Sequence, residues 1–222
     1  MADRAQLEAL FPAAAVLVVA DAWMWEGFDQ LFDEERALGE RAVQKRRREL
    51  AAGRHAARAA LEQLGYAPAP IARGTHGMPQ WPAGACGSIT HCKGFAGAVV
   101  AHAREVRSLG FDAEQAEPLK PQLIDLILSA SERAALGPQP RRTDWGKVAF
   151  SCKEAFYKAY YPHARQVIDF LQVHIELTSG ADAGEFRIEL VDDAVPSAAG
   201  LRRFEGRWLC DGDRVYSACA VL

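Results

Sequence analysis

Three carboxylates and two lysines in the second half of the chain have the types and spacing to work on a phosphorylated substrate. Gly110-Phe111-Asp112-Ala113-Glu114 sets two acids two residues apart. On a strand that spacing turns Asp112 and Glu114 to one face and Phe111 and Ala113 to the other. Two like charges side by side are unfavourable unless water or a cation separates them, and oxygen ligands of this kind suit Mg²⁺ shared with substrate phosphates. Taken alone, the pair fits an exposed strand edge equally well. Further on, Lys147, Ser151, Glu154 and Lys158 share one stripe of a helix, and Val148, Cys152, Ala155 and Ala159 share an apolar one. Glu154 and Lys158 then form either a surface ion pair worth about a few tenths of a kcal/mol, or a third metal ligand or base beside a phosphate-facing cation. Helical spacing does not separate the two.

Two further groups lie in the first half. Gly87-Ser88-Ile89-Thr90-His91 places hydroxyls and an imidazole beside a glycine, where they can donate to phosphate oxygens or simply flank a hairpin. Lys45-Arg46-Arg47-Arg48, followed by Arg54 and Arg58, is either a solvated helix face or a cationic grip, since the guanidinium fork matches phosphate geometry.

The elements that must position these groups follow from periodicity and turn residues. Val16 to Val19 reads as a strand. Asp33-Glu34-Glu35 suits the first turn of a helix. A longer helix over about Val43 to Leu64 buries Leu50, Ala57, Leu61 and Leu64, with Gly65 as its stop. A stretch rich in Pro and Gly, Pro68 to Gly84, is a loop. Gly87 to Cys92, Ala96 to His102 and Val106 to Glu114 then read as an antiparallel meander. Helical patterns follow at about Leu119 to Leu128, from Ser131, and from Thr143 to Tyr160, the last stopped by Pro162. The tail alternates like strands, with Asp211-Gly212 as a hairpin turn. The order predicts an α+β chain of two lobes, 1–105 and 106–222, and the missing GxGxxG and Walker A turns argue against Rossmann and P-loop folds.

Composition narrows the functions. The 222 residues are half apolar and a quarter charged, as in ordinary globular proteins, with a formal net charge of −3. No global positive field draws the chain to nucleic acid or acidic lipid, and this also weighs against a metal-dependent nuclease. The apolar run Ala13 to Ala20 falls far short of the roughly 20 residues needed to cross a bilayer, and Asp3, Arg4 and Glu8 before it are not the basic start of a signal peptide. Five cysteines without a CxxC pair fit a reduced, cytoplasmic protein.

The order and spacing of these blocks are more specific than any one of them. The sequence resembles the 4'-phosphopantetheinyl transferase superfamily, in its two-lobed monomeric class, and is similar to the enterobactin-type and actinobacterial members. The match is carried by Arg46-Arg47-Arg48-Glu49-Leu50 to Gly53-Arg54, by Trp81-Pro82 through His91, by Gly110 to Glu114, and by Phe150-Ser151-x-Lys153-Glu154-Ala155-x-Tyr157-Lys158. The resemblance implies two similar lobes in pseudo-twofold arrangement with coenzyme A in the cleft between them. It implies transfer of the phosphopantetheine arm onto a serine of an apo acyl or peptidyl carrier protein, in fatty acid, polyketide, siderophore or nonribosomal peptide biosynthesis. Asp112, Glu114 and Glu154 would hold Mg²⁺, or Mn²⁺ in its place, with Glu154 also the base for the carrier serine. Lys158 would balance charge on the leaving oxygen, His91 and Thr90 would contact the diphosphate, and Lys153 would lie near the same chemistry. Arg46 and Arg54 would grip the 3'-phosphate. Related members often carry a lysine just before the position of Pro79; here Arg73 or His76 would take its place. The rival reading is a coenzyme A-binding module without turnover.

Overall fold

The computed structural model describes residues 2–136, 144–178, 180, 182–198 and 200–222. In chain order the elements are α1 (Arg4–Glu8), β1 (Val16–Val19), α2 (Ala22–Glu26), α3 (Asp33–Ala37), α4 (Gln44–Gln63), β2 (Ala85–Cys92), β3 (Phe95–His102) and β4 (Ser108–Gln115). There follow α5 (Pro121–Ile127), α6 (Ala130–Ala135), α7 (Trp145–Ala164), β5 (Val173–Leu177), β6 (Ala183–Leu190), β7 (Arg203–Cys210) and β8 (Arg214–Val221). The chain is α+β and two-lobed: one compact unit holds Ala13–Leu109, the other Met1–Pro12 with Gly110–Val221.

In the first unit α4 covers a three-stranded antiparallel sheet of order β1-β3-β2. β3 is central and buried along almost its whole length, which explains its unbroken apolar run Phe95 to Ala101. Met24, Ala56, Ala57, Ala60, Leu61, Ile71, Ala98 and Val100 form a core cluster here. The small side chains on α4 let helix and sheet approach closely. Gly65 ends the helix at φ +86°, with the Tyr66 amide donating back to the Leu61 carbonyl, as the sequence predicts.

In the second unit α7 packs on a five-stranded sheet of order β4-β8-β7-β6-β5. Its core joins Val148, Cys152, Ala155 and Ala159, each fully buried, to Phe156, Trp145 and Trp208. Those first four are the predicted apolar stripe. Asp211-Gly212 turns the β7–β8 hairpin as expected, with Gly212 at φ +89°.

Three expectations are corrected. β4 does not complete a meander with β2 and β3 but joins β8 in the other sheet, because β1 already occupies the remaining edge of β3. α7 does not stop at Pro162 but runs to Ala164, ending at left-handed Arg165. Proline removes a single amide donor here, in the last turn, and Tyr160 and Tyr161, buried just before it, hold the segment down. Thr143, where the sequence places the helix start, lies outside the described residues; Asp144 caps the helix through the Lys147 amide. The first twelve residues, read as part of the N-terminal lobe, pack with the later half. Ala2 donates to Asp211, Arg207 to the Ala9 carbonyl, and Phe11 meets Phe111 edge to face at 5.1 Å.

Candidate active site

β4 approaches α7 at Gly110. A Cβ there would lie 1.7 Å from the Ala155 carbonyl oxygen, so only glycine permits this contact. Two residues later Asp112 faces the helix and is 5% exposed, not the open strand edge that two adjacent acids suggest. Its carboxylate is held from two sides. Lys158 Nζ lies 2.8 Å from Oδ1 and also donates to the Phe111 carbonyl at 2.9 Å, while Ser151 Oγ donates to Oδ2 at 2.9 Å. Glu114, on the same face, lies 3.5 Å from Lys147.

The predicted stripe of α7 therefore forms as read, with Lys147, Ser151 and Lys158 each meeting a β4 carboxylate. Lys158 pairs with Asp112 rather than with Glu154 four residues before it. Burial, and after it the charge of Asp112, raises the Glu154 carboxyl above the ordinary carboxylate range, with Glu114 adding to this and Lys158 opposing it. Burial and Asp112 raise Glu114 likewise, against Lys147 and Lys158. Three acids thus share one field with only two ammoniums beside them. As they stand, no three His, Cys, Asp or Glu side chains among the described residues are grouped to hold a metal ion. Lysines cover Asp112 and Glu114 instead. An all-carboxylate set with surplus negative charge nevertheless fits a hard divalent cation such as Mg²⁺ in ligand type and charge.

The first unit is cationic. Arg54 is 6% exposed on α4 and reaches Glu35 at 3.8 Å, but its Nε makes no hydrogen bond among the described residues. Burial lowers its pKa, and Arg58 and Arg73 lower it further against Glu35. Arg58 places Nη1 2.6 Å from each Glu35 oxygen and so takes up the one anion. Arg46 is mostly exposed and pairs with Glu49 at 2.9 Å, and His91 Nδ1 lies 3.8 Å from the same Glu49. Thr90 and Ser88 are buried on β2, and His91 turns outward, as alternation requires. Of the two cations before Pro79, Arg73 lies over Gly77 and within the field of Arg54. His76 occupies the left-handed turn between them, at φ +53°.

Two family descriptions match the chain. Residues 33–101 match the 4'-phosphopantetheinyl transferase N-terminal domain, and residues 108–211 the 4'-phosphopantetheinyl transferase superfamily. The 4'-phosphopantetheinyl transferase Svp of Streptomyces mobaraensis is 44% identical over 195 residues, covering 86% of this chain and 78% of that protein. The chain belongs to the 4'-phosphopantetheinyl transferase superfamily. The transferase is also 42% identical to PptT of Mycobacterium tuberculosis over 193 residues, 85% of each chain. It is 38% identical to enterobactin synthase component D of Salmonella typhimurium over 125 residues, 54% of this chain and half of that one.

One predicted site residue of the transferase lies elsewhere. Lys153 points into the core, 1% exposed, with Nζ 2.8 Å from Glu132 and donating to the carbonyls of Ile127 at 2.7 Å and Phe170 at 3.0 Å. It is a structural cation and is not presented to a phosphate. Arg47 is likewise docked, on the Gly39 and Glu40 carbonyls and over Phe28. The sequence reading missed Glu35 and Ser217, which set the environments of Arg54 and of Ser151. Glu35 carried a signal as an acid in a first helical turn; Ser217, inside an apolar strand, carried none.

Proposed function

We propose that this transferase moves the 4'-phosphopantetheine arm of coenzyme A onto the serine hydroxyl of an apo acyl or peptidyl carrier domain. The serine oxygen bonds to the phosphorus bearing the arm, the bond to the bridging oxygen breaks, and adenosine 3',5'-bisphosphate leaves. The observation that carries the reading is the gathering of Asp112, Glu114 and Lys158 at the β4–α7 contact, with Glu154 in the same field. Asp112, Glu114 and Glu154 would hold Mg²⁺, or Mn²⁺ in its place. Bound there, the ion would supply neutralisation of the diphosphate oxygens.

Glu154 takes the serine proton. Lys158 moves its charge toward the leaving oxygen. Transfer of this kind rests on positioning and neutralisation rather than on covalent help. In the first unit Arg54, with Arg46 and Arg73, binds the 3'-phosphate and the neighbouring anionic groups. The Nε of this buried guanidinium, which makes no hydrogen bond among the described residues, supports this, because an anion would complete it. His91 and Thr90 contact the diphosphate. No helix among the described residues is long and apolar enough to cross a membrane, and the five cysteines are free. Free thiols fit a reduced, cytoplasmic protein, and a chain that carries both lobes needs no second copy.

The test is the intact mass of an apo carrier domain after incubation with the protein, Mg²⁺ and coenzyme A. Gain of one phosphopantetheine is the expected result. Coenzyme A binding without any gain would instead indicate a module without turnover.

A further inference from the structure

Ser151 and Ser217 are both wholly buried, on two elements that give Val148, Cys152, Ala155, Val215 and Cys219 to the apolar core. Burying a hydroxyl there costs free energy unless it is hydrogen-bonded, and alanine would fill either position. A serine inside a helix commonly turns back to the carbonyl one turn earlier. Ser151 instead reaches across to β4 and donates to Asp112 Oδ2 at 2.9 Å. Its oxygen lies 2.8 Å from Ser217 Oγ on β8. A hydroxyl has one proton. Because Ser151 gives its proton to a carboxylate, which accepts only, the contact with Ser217 has a fixed direction: Ser217 donates to Ser151.

We infer that Ser217 and Ser151 form a hydroxyl relay, anchored on β8 and passed through α7, that fixes the carboxylate plane of Asp112 and reserves Oδ1 for a cation. The inference rests on the proposed role of Asp112 as a metal ligand and adds the residues that orient it. Three elements converge on one carboxylate. Oδ2 is engaged by the relay, and Oδ1 faces Lys158. Donors chained in one direction polarise one another, so Ser217 strengthens the bond that Ser151 makes. Both serines are positioning residues that touch neither substrate nor metal.

The test is direct titration with Mn²⁺ in the presence of coenzyme A, read by the electron paramagnetic resonance signal of the free ion, alongside thermal unfolding. Removing a partner that orients a metal ligand costs about ten- to a hundredfold in metal affinity. Ser151→Ala should weaken Mn²⁺ binding by that factor and Ser217→Ala by about threefold, near the lower end of a hydrogen bond's net worth. The double variant should bind no more weakly than Ser151→Ala alone, since the relay acts through Ser151. Ser217→Thr, which keeps the hydroxyl, should restore affinity. Lower melting temperatures with unchanged Mn²⁺ affinity would overturn the relay and leave a packing role. If Ser151→Ala does not fold, Ser217→Ala against Ser217→Thr decides alone, and equal affinities overturn the relay. Asp112→Asn is the control. If wild type and Asp112→Asn bind Mn²⁺ equally, the metal assignment itself fails, a result distinct from failure of the relay.

Discussion

Among the described residues each unit has one glutamate exposed by 1% or less, Glu35 and Glu132, and the two are held alike. Glu35 in α3 and Glu132 in α6 both stand third in a short helix, and each accepts the amide three residues back. Each also accepts an isoleucine amide, Ile71 at 3.0 Å and Ile175 at 2.8 Å, and each pairs with a cation on a twenty-residue helix. The difference lies in the second basic neighbour, an imidazole at one and a guanidinium at the other. Glu132 meets Lys153, whose ammonium is completed by backbone carbonyls, and the His174 imidazole at 3.9 Å. Glu35 meets Arg58 and also stands near Arg54, with Arg73 close by, so positive charge is in excess. A buried pair that closes on itself holds a fold together, whereas beside Glu35 the Nε of Arg54 has no hydrogen bond among the described residues, which is where the proposed ligand would bind. The second unit has the opposite surplus, but at β4 and α7, where three acids meet two lysines.

The acidic surplus gives the largest expected effect. Asp112→Asn and Glu154→Gln should each lower the transfer rate by about a thousandfold or more, by analogy with loss of a group that neutralises charge in a transition state, while circular dichroism stays native. A rate within tenfold of wild type in either would break the assignment. Next comes the closed pair. Glu132→Gln leaves Lys153 buried without its anion and should destabilise by about 3–5 kcal/mol in urea unfolding, with no specific loss of coenzyme A binding in the protein that remains folded. Arg54→Leu should do the reverse, weakening coenzyme A binding by about tenfold or more, as expected for loss of a charge-assisted hydrogen bond, with little loss of stability. Equal destabilisation by both variants would erase the distinction between the two buried pairs.

The smallest effect is in pH. Burial and Asp112 raise the Glu154 carboxyl in the folded protein above its ordinary value of 4.5. The folded state therefore holds its proton over a window where the unfolded chain has lost it. Stability from this group falls as pH rises through that window and is regained as pH drops back. Without metal, wild type should be less stable than Glu154→Gln at about pH 8 and approach it below about pH 3.5, where both states are protonated. A gap that widens toward acid would contradict the sign.

Much of this was legible in the sequence because it is local. The strand Val16 to Val19, the helix ending at Gly65, the Asp211-Gly212 hairpin and the stripe through Lys147, Ser151 and Lys158 all follow from spacing and turn chemistry. Distant pairings were not. β4 reads as a third hairpin strand because nothing in Val106 to Glu114 names β8 as its neighbour. Lys153 reads as a site residue because it sits beside Glu154, and the partner that buries it stands 21 positions earlier. Adjacent residues on a helix point about 100° apart, so a motif can mix site and core. Ser217 and Asp112 gave no hint of sharing Ser151, since the contact exists only once β4, α7 and β8 have packed.

The most direct measurement is anomalous diffraction from crystals grown with Mn²⁺ and coenzyme A. One Mn²⁺ peak coordinated by Asp112, Glu114 and Glu154, with Lys158 moved off Asp112 toward the diphosphate, is the predicted result. A peak held by other side chains, or a bound coenzyme A with Lys158 still on Asp112 and no Mn²⁺ at these carboxylates, would contradict it.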